Sequence, residues 1–259
     1  MPVIKTEDMS EVTLRKRIAA RFPKLRSLVV RFVRYIKIPG ALVTDIRILT
    51  RLPGARKRGL VFHPPNFLYR DDISSSSIIV DVGCGFEADF SRHMIDKYAA
   101  RAIGVDPTDK HEPFLKKLEE TTHGQFTHKK WLVSRDSGKT LFYESVANES
   151  GSIHTGHINI RKGESRNYLA ESVNLNDLPV RLGIQDIDML KLDIEGAEYD
   201  LFKDTEQLDL RPFRQIYIEF HHRSLAEYNR SDTFAIVKAI RNKGFKTFSL
   251  DGINYLFYH

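Results

Sequence analysis

Cysteine is almost missing from this chain of 259 residues: Cys84 is the only one. An intramolecular disulfide is therefore excluded, and so is a zinc site built on a cysteine cluster. A reducing, cytoplasmic setting is expected. No stretch reaches about 18 consecutive apolar residues, so no transmembrane helix is expected. The first residues contain no apolar run followed by a small-residue cleavage site, so no secretory leader is expected either. Acidic residues are scarce over the first seventy positions. Residues 1–70 hold 16 Lys/Arg against 4 Asp/Glu, a balance of +12, which leaves −6 for residues 71–259 in a chain of net charge +6. The basic character thus belongs to an N-terminal extension.

What is present begins with that extension. Leu14, Ile18, Phe22, Leu25, Val29, Phe32, Val33 and Ile36 recur at spacings of three and four, a helical stripe among basic residues. Pro23 interrupts or restarts the helix. A basic amphipathic helix can pack on a neighbouring domain or lie on an anionic membrane. Residues 1–60 therefore read as a basic helical extension, with residues 1–58 the segment that could meet a membrane. Nucleic acid is disfavoured as a partner, because the domain that follows is itself acidic.

From residue 61 the chain alternates short apolar runs with helical faces. Ile78–Val82, Ala102–Val105, Phe126–Val133, Asp188–Leu192 and Gln215–Phe220 read as strands. Phe90, Met94 and Tyr98 mark one helix, and Pro113 suits the first turn of another. Residues 144–172 are polar and read as a long loop or lid. Ser231 or Asp232 can cap a late helix with Phe234, Val237 and Ile240 on its apolar face. Phe245–Leu250, Asp251-Gly252 and Ile253–Tyr258 read as a terminal β-hairpin. The whole of 61–259 is an α/β three-layer sandwich, mostly parallel, closing on an antiparallel hairpin.

One stretch carries chemistry. Ile78–Val82 runs into Gly83-Cys84-Gly85 just before a helix. Glycines there let a ligand approach the main chain, and the helix start offers free N–H groups. Asp106 ends the next strand, where a carboxylate can accept ribose hydroxyls. The pattern Gly83-x-Gly85-x-x-Ala88 with Asp106 also fits a dinucleotide fingerprint, so an NAD(P)-dependent oxidoreductase is one alternative. Asp81 argues against a pyrophosphate and suits the cationic centres of S-adenosylmethionine.

An acid, one residue and then G-x-G resembles the first motif of the Rossmann-like class I methyltransferases. "DIDMLKLDIEGAEYDLF" at 186–202 resembles the signature of the FkbM-type methyltransferases, which are S-adenosylmethionine-dependent O-methyltransferases. "LVSRDSG" at 132–138, "VNLNDL" at 173–178, "LRPFRQIYIEFH" at 210–221 and the terminal "GFKTFSLDGINYLFYH" keep the order of that family. The resemblance spans roughly residues 60–259. It implies S-adenosylmethionine as cofactor, and an acceptor hydroxyl on a saccharide or secondary metabolite. The expected cofactor site takes in Asp81, Gly83, Cys84, Gly85, Asp106, Pro107, Ser134 and Asp193.

Methyl transfer from a sulfonium to a hydroxyl needs positioning and a proton acceptor. Asp193 and Glu195 follow the fourth large strand; Glu219 and His221 end the fifth. These four are the catalytic candidates, with His221 as the base because histidine titrates near neutrality. His222 should point to the opposite face. Glu198 reads as a helix-start charge, and Cys84 as a small turn residue. Asp193, Glu195, Glu219 and His221 form an O/N set that could hold Mg²⁺ or Mn²⁺, and His154-x-x-His157 in the lid could add ligands, although nothing in the spacing demands a divalent metal. A non-catalytic module docked on membranes through its basic segment is the second alternative.

Overall fold

The structure, a computed structural model, describes residues 41–259, with side chains from residue 44. The stripe over residues 14–36, and with it most of the expected extension, lies outside the described residues. The chain divides between Arg51 and Leu52 into two compact units. The described part of the first is helical, the start of α1 (Ala41–Arg56). No helix among the described residues is long and apolar enough to cross a membrane.

The second unit opens with a hairpin, β1 (Leu60–His63) and β2 (Phe67–Arg70). It continues as β3 (Ile78–Val82), α2 (Asp89–Tyr98), β4 (Arg101–Val105), α3 (Glu112–Thr121), β5 (Phe126–Lys129) and β6 (Leu132–Ser134). Next come β7 (Gly138–Ser145), β8 (Gly151–Ser152), α4 (Ile158–Arg161), β9 (Ser165–Asn174) and α5 (Leu178–Leu182). The chain ends with β10 (Met189–Leu192), α6 (Ala197–Leu201), β11 (Gln215–Glu219), α7 (Arg230–Asn242), β12 (Lys246–Phe248) and β13 (Asn254–Tyr258).

The main sheet has the order β12-β13-β11-β10-β3-β4-β5. Strands β11, β10, β3, β4 and β5 are parallel, while β13 runs against both β11 and β12. The continuous apolar runs follow from this. A parallel strand covered on both faces has no solvent side, and Ile79, Val80, Ile103, Leu190, Leu192, Ile216 and Ile218 are all buried. Each such side chain contributes about 1.5–3 kcal/mol relative to exposure. The order reverses between β3 and β10, and their carboxyl ends open a crevice there. This is the place where α/β sheets bind ligands.

Three local expectations need correction. Phe126–Val133 is two strands in different sheets: β5 closes the main sheet, while β6 pairs with β9. Residues 144–172 are not a long loop. With β6 and β7 they build a second sheet of order β6-β9-β7-β8. Its β9 is polar because one face meets water, with Leu169 exposed beside Asn167 and Glu171, so composition hid the strand. The cap of α7 is Asn229, whose side chain accepts from Ser231 N, and Asp232 returns a bond to Asn229 N. This is a capping box. Phe234 is exposed, and the buried face of α7 is Thr233, Ile236, Val237 and Ile240.

Candidate active site

A cavity of about 420 Å³ occupies the crevice between β3 and β10, a size suited to a nucleoside-sized ligand. Its walls include Asp81, the 83–90 turn, Asp106 to Thr108, Asp193 to Glu195, and Glu219. Two further walls come from outside the main sheet. The β1–β2 turn supplies Pro65 and Asn66, and the second sheet supplies Phe142 and Glu149 to Gly151.

The glycine turn is held by backbone bonds on both sides. Gly83 N donates to Val105 O at 2.8 Å, and Asp193 N donates to Val82 O at 3.1 Å. Gly83 has φ +69°, and a Cβ there would stand 1.7 Å from the backbone oxygen of Asp193. Gly83→Ala should therefore cost more than the roughly 1–3 kcal/mol of ordinary overpacking. Gly85→Ala shares the left-handed φ but faces open space, so it should cost only about 1–2 kcal/mol. Denaturant midpoints of the two variants check this; equal midpoints would refute the steric account.

Asp106 is buried and meets three protein donors. Its Oδ2 accepts from Gly85 N at 2.9 Å and faces His111 Nδ1 at 3.3 Å, while Oδ1 accepts from Thr108 N at 2.9 Å. Burial alone would raise its pKa, but His111 and Thr108 outweigh that and hold the carboxyl below its ordinary range. A carboxylate has about four lone-pair sites, so capacity remains for a ligand hydroxyl. His111 Nε2 is buried without a hydrogen-bond partner, on a residue that lines the cavity. Phe86 lies with its ring centre 6.0 Å from that imidazole. Carboxylate, unpaired ring nitrogen and aromatic face together suit an adenosine.

Asp81 does not stand ready for a ligand cation. Its Oδ2 accepts from Ser91 N and Oγ at 3.2 and 2.8 Å, and Oδ1 lies 3.1 Å from Lys191 Nζ. Lys191 is the register partner of Asp81 across β10 and β3. It also donates to Gly83 O at 3.2 Å and stands 3.6 Å from Asp193. This buried ammonium was missed in the sequence. Its signal was a lone lysine inside an apolar run, which must find carboxylates to be buried at all. Burial alone would lower its pKa, but Asp81 and Asp193 more than reverse that and hold Lys191 charged.

Asp193, Glu195 and Glu219 share the far wall of the cavity. Glu219 has its pKa raised to about 8, chiefly by burial and then by the Asp193 charge. Asn66 Nδ2 donates to its Oε2 at 3.1 Å, another contact with no sequence signal beyond a Pro-Pro-Asn turn. Burial also raises Asp193, against the pull of Lys191 and His221. Burial works against charge on Glu195 as well, but His157 and His221 outweigh it and keep its pKa low. His157 Nε2 is 2.9 Å from Glu195 Oε2, and Ser152 Oγ donates to Glu195 O at 2.7 Å. The second sheet thus grips the turn after β10. Glu195 adopts φ +49°, uncommon for a residue with a side chain.

His221 is not built as a base. Glu198, fully buried, accepts from His221 N at 2.7 Å and faces Nδ1 at 3.1 Å. Nε2 lies 3.5 Å from both Asp193 and Glu195. Burial alone would lower the His221 pKa, but Glu198 first, then Glu195 and Asp193, drive it well above its ordinary value. That shift favours the doubly protonated ring, which has no lone pair to accept a further proton. Glu198 is the expected helix-start charge, in the first turn of α6 with Gly196 N donating to its Oε2 at 2.9 Å, and it also holds this histidine. Asp193 does not cap α6, whose cap is Gly196.

The remaining candidates fall in various places. Cys84 and Pro107 line the cavity. Burial, then Asp106 and Asp81, push the Cys84 thiol well up, which makes it inert. Ser134 is off the wall, its hydroxyl donating to Asp136 O at 2.9 Å. His222 turns away, as expected, to face Thr233 Oγ1 at 3.0 Å. Trp131 lines the cavity, with the Arg181 guanidinium 5.0 Å from its ring centre. Among the described residues, no group of three or more His, Cys, Asp or Glu side chains is arranged to hold a metal ion. A pyrophosphate would meet Glu87, Asp89 and Asp106 on this wall, with the one lining lysine, Lys191, already engaged by two carboxylates.

The profile of the Methyltransferase FkbM domain family matches residues 81–247. No curated protein matches the chain by sequence. Among solved structures, the fibrillarin pre-rRNA processing protein of Methanococcus jannaschii is 11% identical, with a TM-score of 0.43, over 80% of this chain and 72% of that one. Aeropyrum pernix fibrillarin, with natively bound S-adenosyl-L-methionine, is 11% identical at a TM-score of 0.41, over 80% and 73%. TrmK of M. capricolum, in complex with S-adenosyl-homocysteine, is 12% identical at a TM-score of 0.38, over 72% of this chain and 62% of that chain.

Proposed function

The chain belongs to the methyltransferase FkbM domain family, and from that premise we propose that it methylates a hydroxyl of a saccharide or secondary metabolite, using S-adenosylmethionine. One observation carries the choice of a hydroxyl acceptor. The cavity wall beyond the glycine turn holds a carboxyl, Glu219, whose pKa is about 8. A hydroxyl must lose its proton as it is methylated, and a base titrating near the working pH serves best.

S-adenosylmethionine supplies a methyl group on a sulfonium when bound. The Gly83–Gly85 backbone would hold the methionine end, Asp106 the ribose, and His111 with Phe86 the adenine. Glu219 would take the acceptor proton on a carboxylate oxygen, steadied by Asn66. Asp193 and Glu195 would orient the acceptor and the cationic end of the cofactor. His221 is a positioning residue: its charge, fixed by Glu198, offsets the two carboxylates beside it. Trp131 and the edge of the second sheet would flank the acceptor, an amphipathic wall suited to a sugar ring. The basic segment 1–58 would bring the domain to anionic membranes.

Calorimetric titration with S-adenosylhomocysteine tests the cofactor. The native chain should bind it and leave NADH unbound. Asp106→Ala should weaken binding roughly 10- to 100-fold, the worth of about 1.5–3 kcal/mol for a charged hydrogen bond. NADH binding in its place would transfer the protein to the oxidoreductases. Labelled methyl transfer to a panel of saccharides and polyhydroxylated metabolites then tests the acceptor.

A further inference from the structure

A second concave site lies at the opposite end of the sheet. Arg58, Lys238, Arg241, Asn242, Phe245, Lys246, Thr247 and Tyr258 line a cleft of about 700 Å³. Four of these eight are cations and none is an acid. Arg58, Lys238, Arg241 and Lys246 are all exposed. They come from three places in the chain: the segment after α1, helix α7, and the start of β12. Their convergence is therefore a product of the fold. Arg58 is braced, with Nη1 donating to Gly54 O at 2.9 Å and its guanidinium 5.1 Å from the Phe248 ring centre. Arg56 and Lys57 are exposed next to it in the chain.

Register fixes where this cleft lies. Tyr258 pairs with Gln215 at the amino end of β11 and with Lys246 of β12. Asn254, at the other end of β13, pairs with Glu219 of the cavity wall. The basic cleft and the acidic cavity thus open at opposite edges of one sheet.

We propose that this cleft docks the domain on an anionic phospholipid surface, with the catalytic cavity facing away from it. A tight site for a small free phosphate is disfavoured here. Asn242 in the lining is the C-terminal residue of α7, whose carbonyl dipoles repel an anion held at short range. Long Lys and Arg side chains standing clear of that end suit a charged plane instead. Arg241 alone would be an ordinary helix-end charge. Lys238, a turn earlier, and Arg58 and Lys246, on other elements, have no such explanation. A single-stranded nucleic acid would want aromatic faces for stacking, and the two rings of the cleft, Phe245 and Tyr258, are buried. The charge excess of residues 1–70 has the same sign and includes Arg58.

Full-length protein and the variant Lys238→Glu/Arg241→Glu/Lys246→Glu should be compared by co-sedimentation with vesicles of phosphatidylglycerol in phosphatidylcholine. A basic residue near such a surface is worth about 1 kcal/mol, so losing three should weaken binding by roughly 100-fold or more. Lys238→Arg/Lys246→Arg should bind like the native chain. The unfolding midpoint of the Glu variant should stay near native, because none of the three side chains is buried. Native binding to pure phosphatidylcholine should be weak, and binding to anionic vesicles should fall as salt is raised. Equal binding by native and Glu-substituted chains would overturn the proposal. So would native protein that captures inositol hexakisphosphate or a nucleic acid but leaves anionic vesicles in solution.

Discussion

Glu219→Gln lowers the rate of methyl transfer by about 10²- to 10⁴-fold, the usual worth of a positioned base, while leaving S-adenosylhomocysteine affinity close to native. The native rate constant rises with pH, is half-maximal near 8, where Glu219 titrates, and levels off above that; the variant loses that rise. Stability moves the other way. The folded-state pKa lies above the ordinary 4.5, so between about 4.5 and 8 the native state keeps a proton that the unfolded chain has released. The contribution of Glu219 to stability is full below that window and is lost as pH rises through it. Glutamine does not titrate. The variant should therefore gain on the native protein in thermal stability across pH 5 to 9, most of all at the alkaline end. A merely structural glutamate would leave the shape of the rate profile unchanged. A variant that turns over at the native rate would remove Glu219 from the base role.

Lys191→Met destabilises the domain by about 3–5 kcal/mol, the cost of breaking a buried ion pair from one side. For a unit of this size that is a fall of roughly 10 °C or more in unfolding midpoint. The reason is Asp81. It is wholly buried, and its Oδ1 has the Lys191 ammonium at 3.1 Å as its counter-charge. Methionine fills much of the same volume but leaves Asp81 and Asp193 facing each other across the strand ends. Lys191→Met/Asp81→Asn should recover part of the loss, since the second change removes the stranded charge. Thermal unfolding of the two single variants and the double closes the cycle. Simple additivity would mean that the lysine and the aspartate do not act as a pair.

Helix α7 and the second sheet show where legibility ended along the chain. The period of Val237 and Ile240 marked the helix, but its cap shifted to Asn229 because Asp232 serves better as the N3 partner of a capping box. Strand β7 pairs with β9 along its whole length, from Ser145↔Ser165 to Gly138↔Ser172. Nothing in its local pattern outweighed its polarity. A strand wetted on one face and packed against an insertion, not the main core, has a weak apolar signature.

The sequence alone determined the parallel core, the glycine turn after β3, the carboxylate at the end of β4, and the acidic turn after β10. These depend on neighbours within a few residues: the period of apolar side chains, a turn that only glycine fits, a motif read as a string. Tertiary structure alone decided what those groups do. Asp81 faces Lys191 because β3 and β10 pair in register. His221 is pushed toward its charged form because Glu198 lies against its ring. Glu219 titrates near 8 because burial and the Asp193 charge act on it together, while Asn66 reaches it from 153 positions away. Ion pairs and pKa values depend on distance through space and on exclusion of water, and neither exists until the strands have been laid side by side.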